Sequence, residues 1–152
     1  LLELDDPDWI IHTKSEERPP VKLDLQAKVQ RSLVANGCVI RGYVKNSILF
    51  PGVVIEPDAI VKDSIIMNNS LIGRHAVIDR TIIDKHVFVG EHCHIGHGDI
   101  KHSPNSGISI IGKMAQIPKS TKIGRGCIIE SNVRETEFHI NNLEPGTIIH
   151  HQ

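Results

Sequence analysis

The sequence repeats itself at an interval of 17 residues. The segments that begin at Val44, Val61 and Ile78 share one pattern. Each has an aliphatic residue, two polar residues, Ser or Thr, and two more aliphatic residues. The same interval relates a series of small residues: Gly42, Ala59, Ala76 and Cys93. Because self-similarity at a fixed interval is the signature of stacked structural repeats, the chain is predicted to form a solenoid.

Within this repeat lies a shorter period of six residues. Towards the C-terminus aliphatic residues recur at six-residue steps, namely Ile111, Ile117, Ile123 and Ile129. Three such hexads close one triangular coil, in which the aliphatic residue points inward and Gly or Asp permits the bend at each corner. Coils of 15 to 18 residues fit three sides, so the 15-residue offset between segments 32–40 and 47–55 belongs to the same fold. The sequence therefore predicts an all-β, single-stranded left-handed parallel β-helix, an exception to the right-handed crossover rule.

The composition agrees with this prediction and excludes several functions. The chain has 24 Ile and 12 Val but only 9 Leu, and β-branched residues favour extended backbone. A net charge of −1 argues against a general nucleic-acid binder and against a polybasic membrane surface. No apolar run approaches the roughly 20 residues that span a bilayer. Three Cys without metal-type spacing predict a reducing, cytoplasmic location.

The repeat also divides the chain. Residues 1–24 show no repeat and are predicted to be a linker with one short apolar segment, Trp9-Ile10-Ile11. Residues 25–152 are predicted to be the β-helix domain, with coils from about Val29, a loop at 101–107, and a tail at 130–152 that caps the open end. The predicted inward positions are Ile55, Ile72 and Val89, and Val44, Val61 and Ile78. The predicted outward ladder is Asp58, His75 and His92.

The ten His raise two enzymatic alternatives. The segment from His97 to His102 resembles the ligand pair of γ-class carbonic anhydrases, and neutral imidazoles with an open position suit Zn²⁺. In a hexapeptide acyltransferase, His97 or His102 would instead be a general base. No carboxylate is evident to orient the rings, so these His are predicted to be polar surface residues, and neither a metal site nor a catalytic residue is predicted. Packing is the preferred explanation for the three Cys at small-residue positions.

An ordered set of segments carries a family resemblance. The segments are 6–13 with Pro19-Pro20, then 32–42, 47–52, 64–67, 82–85 and 106–118. Together they resemble the C-terminal part of glucose-1-phosphate adenylyltransferases (ADP-glucose pyrophosphorylases). Segment 6–13 looks like the exit from that family's catalytic domain, and segment 106–118 is similar to its activator-lysine segment.

The resemblance implies a β-helix domain of an enzyme that makes ADP-glucose and pyrophosphate from ATP and glucose 1-phosphate, for glycogen or starch synthesis. The catalytic domain and its Mg²⁺ would lie outside this sequence, so we expect no cofactor in this chain and no catalysis by it alone. The implied partners are the parent's own catalytic domain, further subunits of a homo-oligomer (a tetramer in the parent) and a phosphorylated metabolite effector. A catalytically silent regulatory paralogue stays open.

Two residues are predicted to bind the effector. The resemblance places Lys113 at the family's activator lysine and Arg41 at the basic position of the early coil. Lys and Arg at solenoid corners point outward, where they can meet anions.

Overall fold

The computed structural model describes residues 17–99 and 107–152, which form twenty short strands and one 3-10 helix, Glu135–Glu137. The strands make three sheets in which all neighbours are parallel. Sheet A contains β1 (Lys22–Leu23), β4 (Val39–Ile40), β7 (Val54–Ile55), β10 (Leu71–Ile72), β13 (Phe88–Val89) and β16 (Gln116–Ile117). Sheet B contains β2 (Lys28–Gln30), β5 (Tyr43–Lys45), β8 (Ile60–Lys62), β11 (Val77–Asp79), β14 (His94–His97), β17 (Lys122–Gly124) and β19 (Asn142–Leu143). Sheet C contains β3 (Leu33–Val34), β6 (Ile48–Leu49), β9 (Ile65–Ile66), β12 (Thr81–Ile83), β15 (Ser109–Ile111), β18 (Ile128–Ile129) and β20 (Ile148–Ile149).

Successive strands visit sheets A, B and C in turn, so each group of three strands is one coil of a triangular prism. Coil 1 is β1–β3, and coil 7 ends with β19 and β20. The chain turns at three edges, which we call the A–B, B–C and C–A edges. This architecture is the predicted left-handed parallel β-helix.

The predicted inward register is confirmed. Ile72 pairs with Ile55 on one side and with Val89 on the other, and all three side chains are fully buried. The second predicted ladder is buried in the same way: Val44, Val61 and Ile78. One aliphatic column per sheet therefore fills the prism.

A column of hydroxyl groups explains the Ser and Thr of the repeat at the B–C edge. The hydroxyl of Ser64 donates to the Lys62 carbonyl oxygen at 2.6 Å and accepts from the Thr81 N–H at 3.1 Å. Ser47 makes the same two contacts one coil earlier. These bonds satisfy backbone groups at a buried corner, where an unpaired donor or acceptor is costly.

The predicted outward ladder is confirmed at the A–B edge. Asp58, His75 and His92 have φ angles of 61°, 57° and 58°, the left-handed turn that the corner requires. The rings of His75 and His92 stack with centroids 4.9 Å apart, and His75 Nε2 lies 3.8 Å from Asp58 Oδ2.

Both ends of the solenoid differ from the expectation. Strand β1 pairs with β4, so the first coil begins at Lys22, inside the segment assigned to the linker. Its position is set by hydrogen bonds from Lys22 N to Cys38 O and from Asp24 N to Ile40 O, rather than by a recognisable hexad. At the other end, β19 and β20 continue sheets B and C, so the tail is mostly a further coil rather than a separate cap.

The loop predicted at 101–107 falls between β14 and β15, at the B–C edge of coil 5. Residues 100–106, which include His102, lie outside the described part of the chain. The chain leaves sheet B after a shift in register between Ile95 and His97, and it returns at Ser109, which pairs with Thr81.

Candidate effector site

Lys113 lies on the C–A edge, in the turn between β15 and β16, with its side chain exposed. The following residue, Met114, has a φ of 60° and turns the chain into sheet A. The Lys113 carbonyl oxygen accepts a hydrogen bond of 2.7 Å from Asn132 N on the next coil. The backbone beneath this ammonium group is therefore held on a rigid edge, as a binding residue requires.

Lys85 lies directly beside Lys113 and is not among the effector-binding residues predicted from the sequence. It occupies the same corner one coil earlier, where its carbonyl oxygen accepts 3.0 Å from Met114 N, and its side chain is also exposed. Aligning the hexad that starts at Ile83 with the one that starts at Ile111 places the two lysines at the same position, so the signal was present.

These two lysines form a pair of like charges. Adjacent rungs are about 4.8 Å apart, a separation that one phosphate group spans. Within the described ranges, neither Lys85 nor Lys113 has a carboxylate at ion-pair distance. The pair is therefore open to an anionic ligand.

Arg41 lies on a different edge and has a partner. It sits in the shortened A–B turn of coil 2, and its Nη1 atom contacts Glu56 Oε1 at 2.9 Å. The pair is about one-third exposed, at 34% and 30%. Arg41 also borders an open cavity of about 280 Å³ together with Lys28 and Tyr43.

The structure does not bring Arg41 and Lys113 together. Arg41 follows β4 on coil 2, whereas Lys113 follows β15 at the end of coil 5. Three coil spacings of about 4.8 Å separate them by roughly 15 Å along the prism axis, in addition to the different edge. On a single chain, one small ligand can therefore contact either the lysine pair or Arg41, but not both.

A mostly buried arginine lies at the B–C edge, next to the connection between β14 and β15. Arg125 Nη2 contacts Asp79 Oδ2 at 2.7 Å, and Arg125 Nε donates to the Gly98 carbonyl oxygen at 2.9 Å. The side chain of Arg125 is only 11% exposed and reaches from coil 6 to coil 4. Nearby, the rings of His94 and His97 are 5.7 Å apart, and burial, followed by the charge of His97, lowers the pKa of His94.

The remaining candidates from the sequence are the His residues considered as metal ligands and the three Cys. Among the residues described, no group of three or more His, Cys, Asp or Glu side chains is arranged to hold a metal ion. The thiols of Cys38, Cys93 and Cys127 are buried, and each donates to a backbone carbonyl oxygen at 3.1–3.2 Å. Burial raises the pKa of all three thiols, so they are packed residues rather than nucleophiles.

The outer surface of sheet C is apolar along its whole length. Every strand contributes one outward aliphatic side chain: Leu33, Ile48, Ile65, Ile82, Ile110, Ile128 and Ile148. Leu33, Ile110 and Ile148 are substantially exposed. A contiguous apolar surface of this length is typical of an interaction face. No helix in the described part of the chain is long and apolar enough to cross a bilayer.

A comparison with family models defines the class of this protein. Residues 21–106 match the family described as GlmU-like, C-terminal hexapeptide, and the chain belongs to it. The match begins at the first coil and covers the 17-residue repeats.

Curated relatives narrow the class and confirm the resemblance. The chain is 41% identical over 99% of its length to a glucose-1-phosphate adenylyltransferase of Pseudothermotoga lettingae. It is 37% identical over 94% of its length to the Acetivibrio thermocellus enzyme and 45% identical over 97% to that of Thermomicrobium roseum. It spans only 37%, 35% and 35% of these three relatives, at their C-terminal part.

Solved structures support the fold. The acetyltransferase domain of PglB from Neisseria gonorrhoeae superposes with a TM-score of 0.54 at 16% identity, covering 88% of this chain and 50% of that one. A putative acetyltransferase from Desulfovibrio desulfuricans gives 0.53 at 12% identity, covering 86% of this chain and 26% of that one. At such identities the likeness concerns the solenoid alone.

Proposed function

We propose that this chain is the effector-binding and assembly β-helix of a cytoplasmic glucose-1-phosphate adenylyltransferase, which makes ADP-glucose and pyrophosphate from ATP and glucose 1-phosphate. Similarity to such enzymes over 94–99% of the chain supports the choice of parent. The catalytic groups and the Mg²⁺ of the reaction belong to the remainder of the parent. The described residues present no acidic cluster suited to that ion.

The effector is a phosphorylated metabolite, and the lysine pair of the C–A edge is its site on this chain. The observation that carries this assignment is the position of Lys85 and Lys113 on neighbouring rungs, without a carboxylate partner among the described residues. Two ammonium groups on a rigid edge suit a phosphate dianion. Arg41 belongs to a second subsite, where an incoming anion has to displace Glu56.

The apolar surface of sheet C supports the assembly role. In this column of seven aliphatic side chains, Leu33, Ile110 and Ile148 are substantially exposed in the described structure, and each gains free energy when a partner covers it. In the proposed parent the partners are its own catalytic domain and neighbouring subunits of a tetramer. The remaining phosphate-binding cations come from the catalytic domain, so the isolated chain binds effector weakly.

The test is mutagenesis in the enzyme that contains this chain. Lys113→Ala and Lys85→Ala should each raise the activator concentration for half-maximal effect about five-fold or more, since allosteric coupling is typically about 1–3 kcal/mol. Unactivated catalysis should change little. Lys62→Ala, an exposed lysine on sheet B, is the matched control and should leave the activation curve unchanged. Unchanged activation curves for Lys113→Ala, Lys85→Ala and Arg41→Ala would show that all three residues are ordinary surface charges.

A further inference from the structure

Two buried side-chain atoms without a hydrogen-bond partner lie together at the B–C edge. Among the described residues, these atoms are His97 Nε2 and Arg125 Nη1. The two residues are neighbours on adjacent rungs, because the His97 carbonyl oxygen accepts a hydrogen bond of 3.0 Å from Arg125 N. An unpaired polar atom away from water is unfavourable, so this corner is held less firmly than its burial alone suggests.

The guanidinium group of Arg125 joins three coils at this edge. Its Nη2 atom contacts Asp79 Oδ2 on coil 4 at 2.7 Å, and its Nε atom donates to the Gly98 carbonyl oxygen on coil 5 at 2.9 Å. The backbone of Arg125 follows β17 and belongs to coil 6. The contact with Asp79 therefore balances the charge of Arg125 and ties coil 4 to coil 6.

Two imidazoles lie beside this contact. His94 and His97 are both on β14, and their ring centroids are 5.7 Å apart. The charged side chains on the neighbouring rungs and at the same edge are mostly basic: Lys62, Asp79, Arg80, Asp99, Lys122 and Arg125. A proton on either imidazole therefore adds positive charge where basic groups already outnumber acidic ones.

The environment of His94 disfavours its protonated form. Burial, followed by the charge of His97, lowers the pKa of His94 below its usual 6.5, and Asp79 opposes this change only in part. A lowered folded-state pKa means that the closed corner is stable above about pH 6.5 and is weakened as the pH falls through the folded-state value. An open arrangement, in which water reaches the imidazoles, binds protons more tightly and gains population in acid.

We propose that this corner is a proton-controlled latch, in which protonation of His94 and His97 releases Arg125 from Asp79 and Gly98. Neutral imidazoles allow the guanidinium group to remain in the mostly buried corner. Imidazolium groups repel it and compete with it for the Asp79 carboxylate. The contacts between coils 4, 5 and 6 therefore loosen in mildly acidic solution. The latch depends only on side chains of this chain, and not on the proposed effector or parent reaction.

Hydrogen exchange of the Arg125 backbone N–H tests the proposal in the 152-residue protein, because this group donates to His97 across the latch. Between about pH 7.5 and about pH 5.5, its protection relative to the intrinsic exchange rate should fall at least about ten-fold, the effect of one unit of pKa difference. The Asp63 N–H donates to the Lys45 carbonyl oxygen at the same edge of coils 2 and 3, which contain no His. This control should keep its protection. Unchanged protection of Arg125, or an equal loss at Asp63, would overturn the proposal.

A double substitution assigns the pH dependence to the two imidazoles. His94→Gln combined with His97→Gln should keep the Arg125 N–H as protected in mild acid as it is at neutral pH. The matched control is His75→Gln combined with His92→Gln, which removes the stacked pair of the A–B edge and should leave the wild-type pH dependence. Circular dichroism establishes that each variant is folded. A pH dependence that persists in the folded His94→Gln, His97→Gln protein would contradict the latch.

Asp79→Asn provides a second check if the double variant does not fold. This substitution removes the carboxylate that holds the guanidinium group. The Arg125 N–H should then show, already at neutral pH, the reduced protection that the wild type reaches only in mild acid. Wild-type protection at neutral pH in the folded Asp79→Asn protein would show that the ion pair does not hold this edge, and would also overturn the proposal.

Discussion

Coils 2 to 4 and coils 5 to 7 share one hexad, but they differ at one corner. In the earlier coils each corner is a short turn of the chain, and all of these turns except the A–B turn of coil 2 have a residue of positive φ at the bend. In coil 5 a longer connection joins β14 to β15 at the B–C edge, and there the Arg125 side chain contacts Asp79 and the Gly98 carbonyl oxygen. The comparison shows that a repeat sequence specifies its own corners, whereas an interrupted corner depends on a residue far away in sequence.

The interior is the feature that both regions share. Ile72 in coil 4 and Ile117 in coil 6 belong to the same inward column of sheet A, and both are fully buried. We expect Ile72→Asp and Ile117→Asp to cost about 5 kcal/mol or more, since each leaves a cavity and an unpaired buried charge. That approaches the whole stability of a typical domain. Loss of the β-sheet circular dichroism signal in both variants is the expected result, and a folded Ile117→Asp protein would show that the late coils are more loosely packed.

Substitutions at the corners should lower the stability by different amounts in the two regions. One arginine from each region allows the comparison. Arg125→Met removes one partner of a mostly buried ion pair with Asp79 and should lower the free energy of unfolding by about 3 kcal/mol. Arg41→Met breaks the exposed pair with Glu56 in the regular region and should cost no more than about 1 kcal/mol.

Urea denaturation measures both differences. Adding Asp79→Asn to Arg125→Met should restore part of the loss, because the uncompensated carboxylate is then removed. Equal effects of the two arginine substitutions would mean that the stability of the B–C edge at coil 5 does not depend on Arg125.

The same comparison explains what the sequence could predict. The register of coils 2 to 4 follows from the 17-residue interval, and the Arg41–Glu56 contact follows from the 15-residue offset that places these residues on adjacent rungs. The position of Lys85 could also be predicted, by aligning hexads. The role of Arg125 could not be predicted, because Asp79 lies 46 residues away and a Gly-Arg-Gly segment looks like an ordinary exposed corner. The contacts with Asp79 and Gly98, both distant in sequence, are visible only in the structure.

The smallest expected effect concerns the last coil, where carboxylates add to the strand pairing that holds the chain. Glu130 accepts from His150, and Glu137 accepts from the backbone N–H groups of Gln152 and Arg134. The His150 side chain, followed by the His151 N–H, lowers the pKa of Glu130 below its usual 4.5. The Gln152 and Arg134 N–H groups, followed by the His151 side chain, lower the pKa of Glu137 in the same way.

A lowered folded-state pKa means that these contacts stabilise the last coil above the unfolded-state value, and that this stabilisation is lost as the pH falls through the folded-state pKa. Hydrogen exchange of β19 and β20 should therefore accelerate below pH 4.5, relative to its intrinsic rate, while β8 and β11 in the regular coils keep their protection. Glu130→Gln with Glu137→Gln should remove most of this pH dependence. Acid-induced loss of protection that spreads equally through β8 and β11 would instead show that the two regions unfold as one cooperative unit.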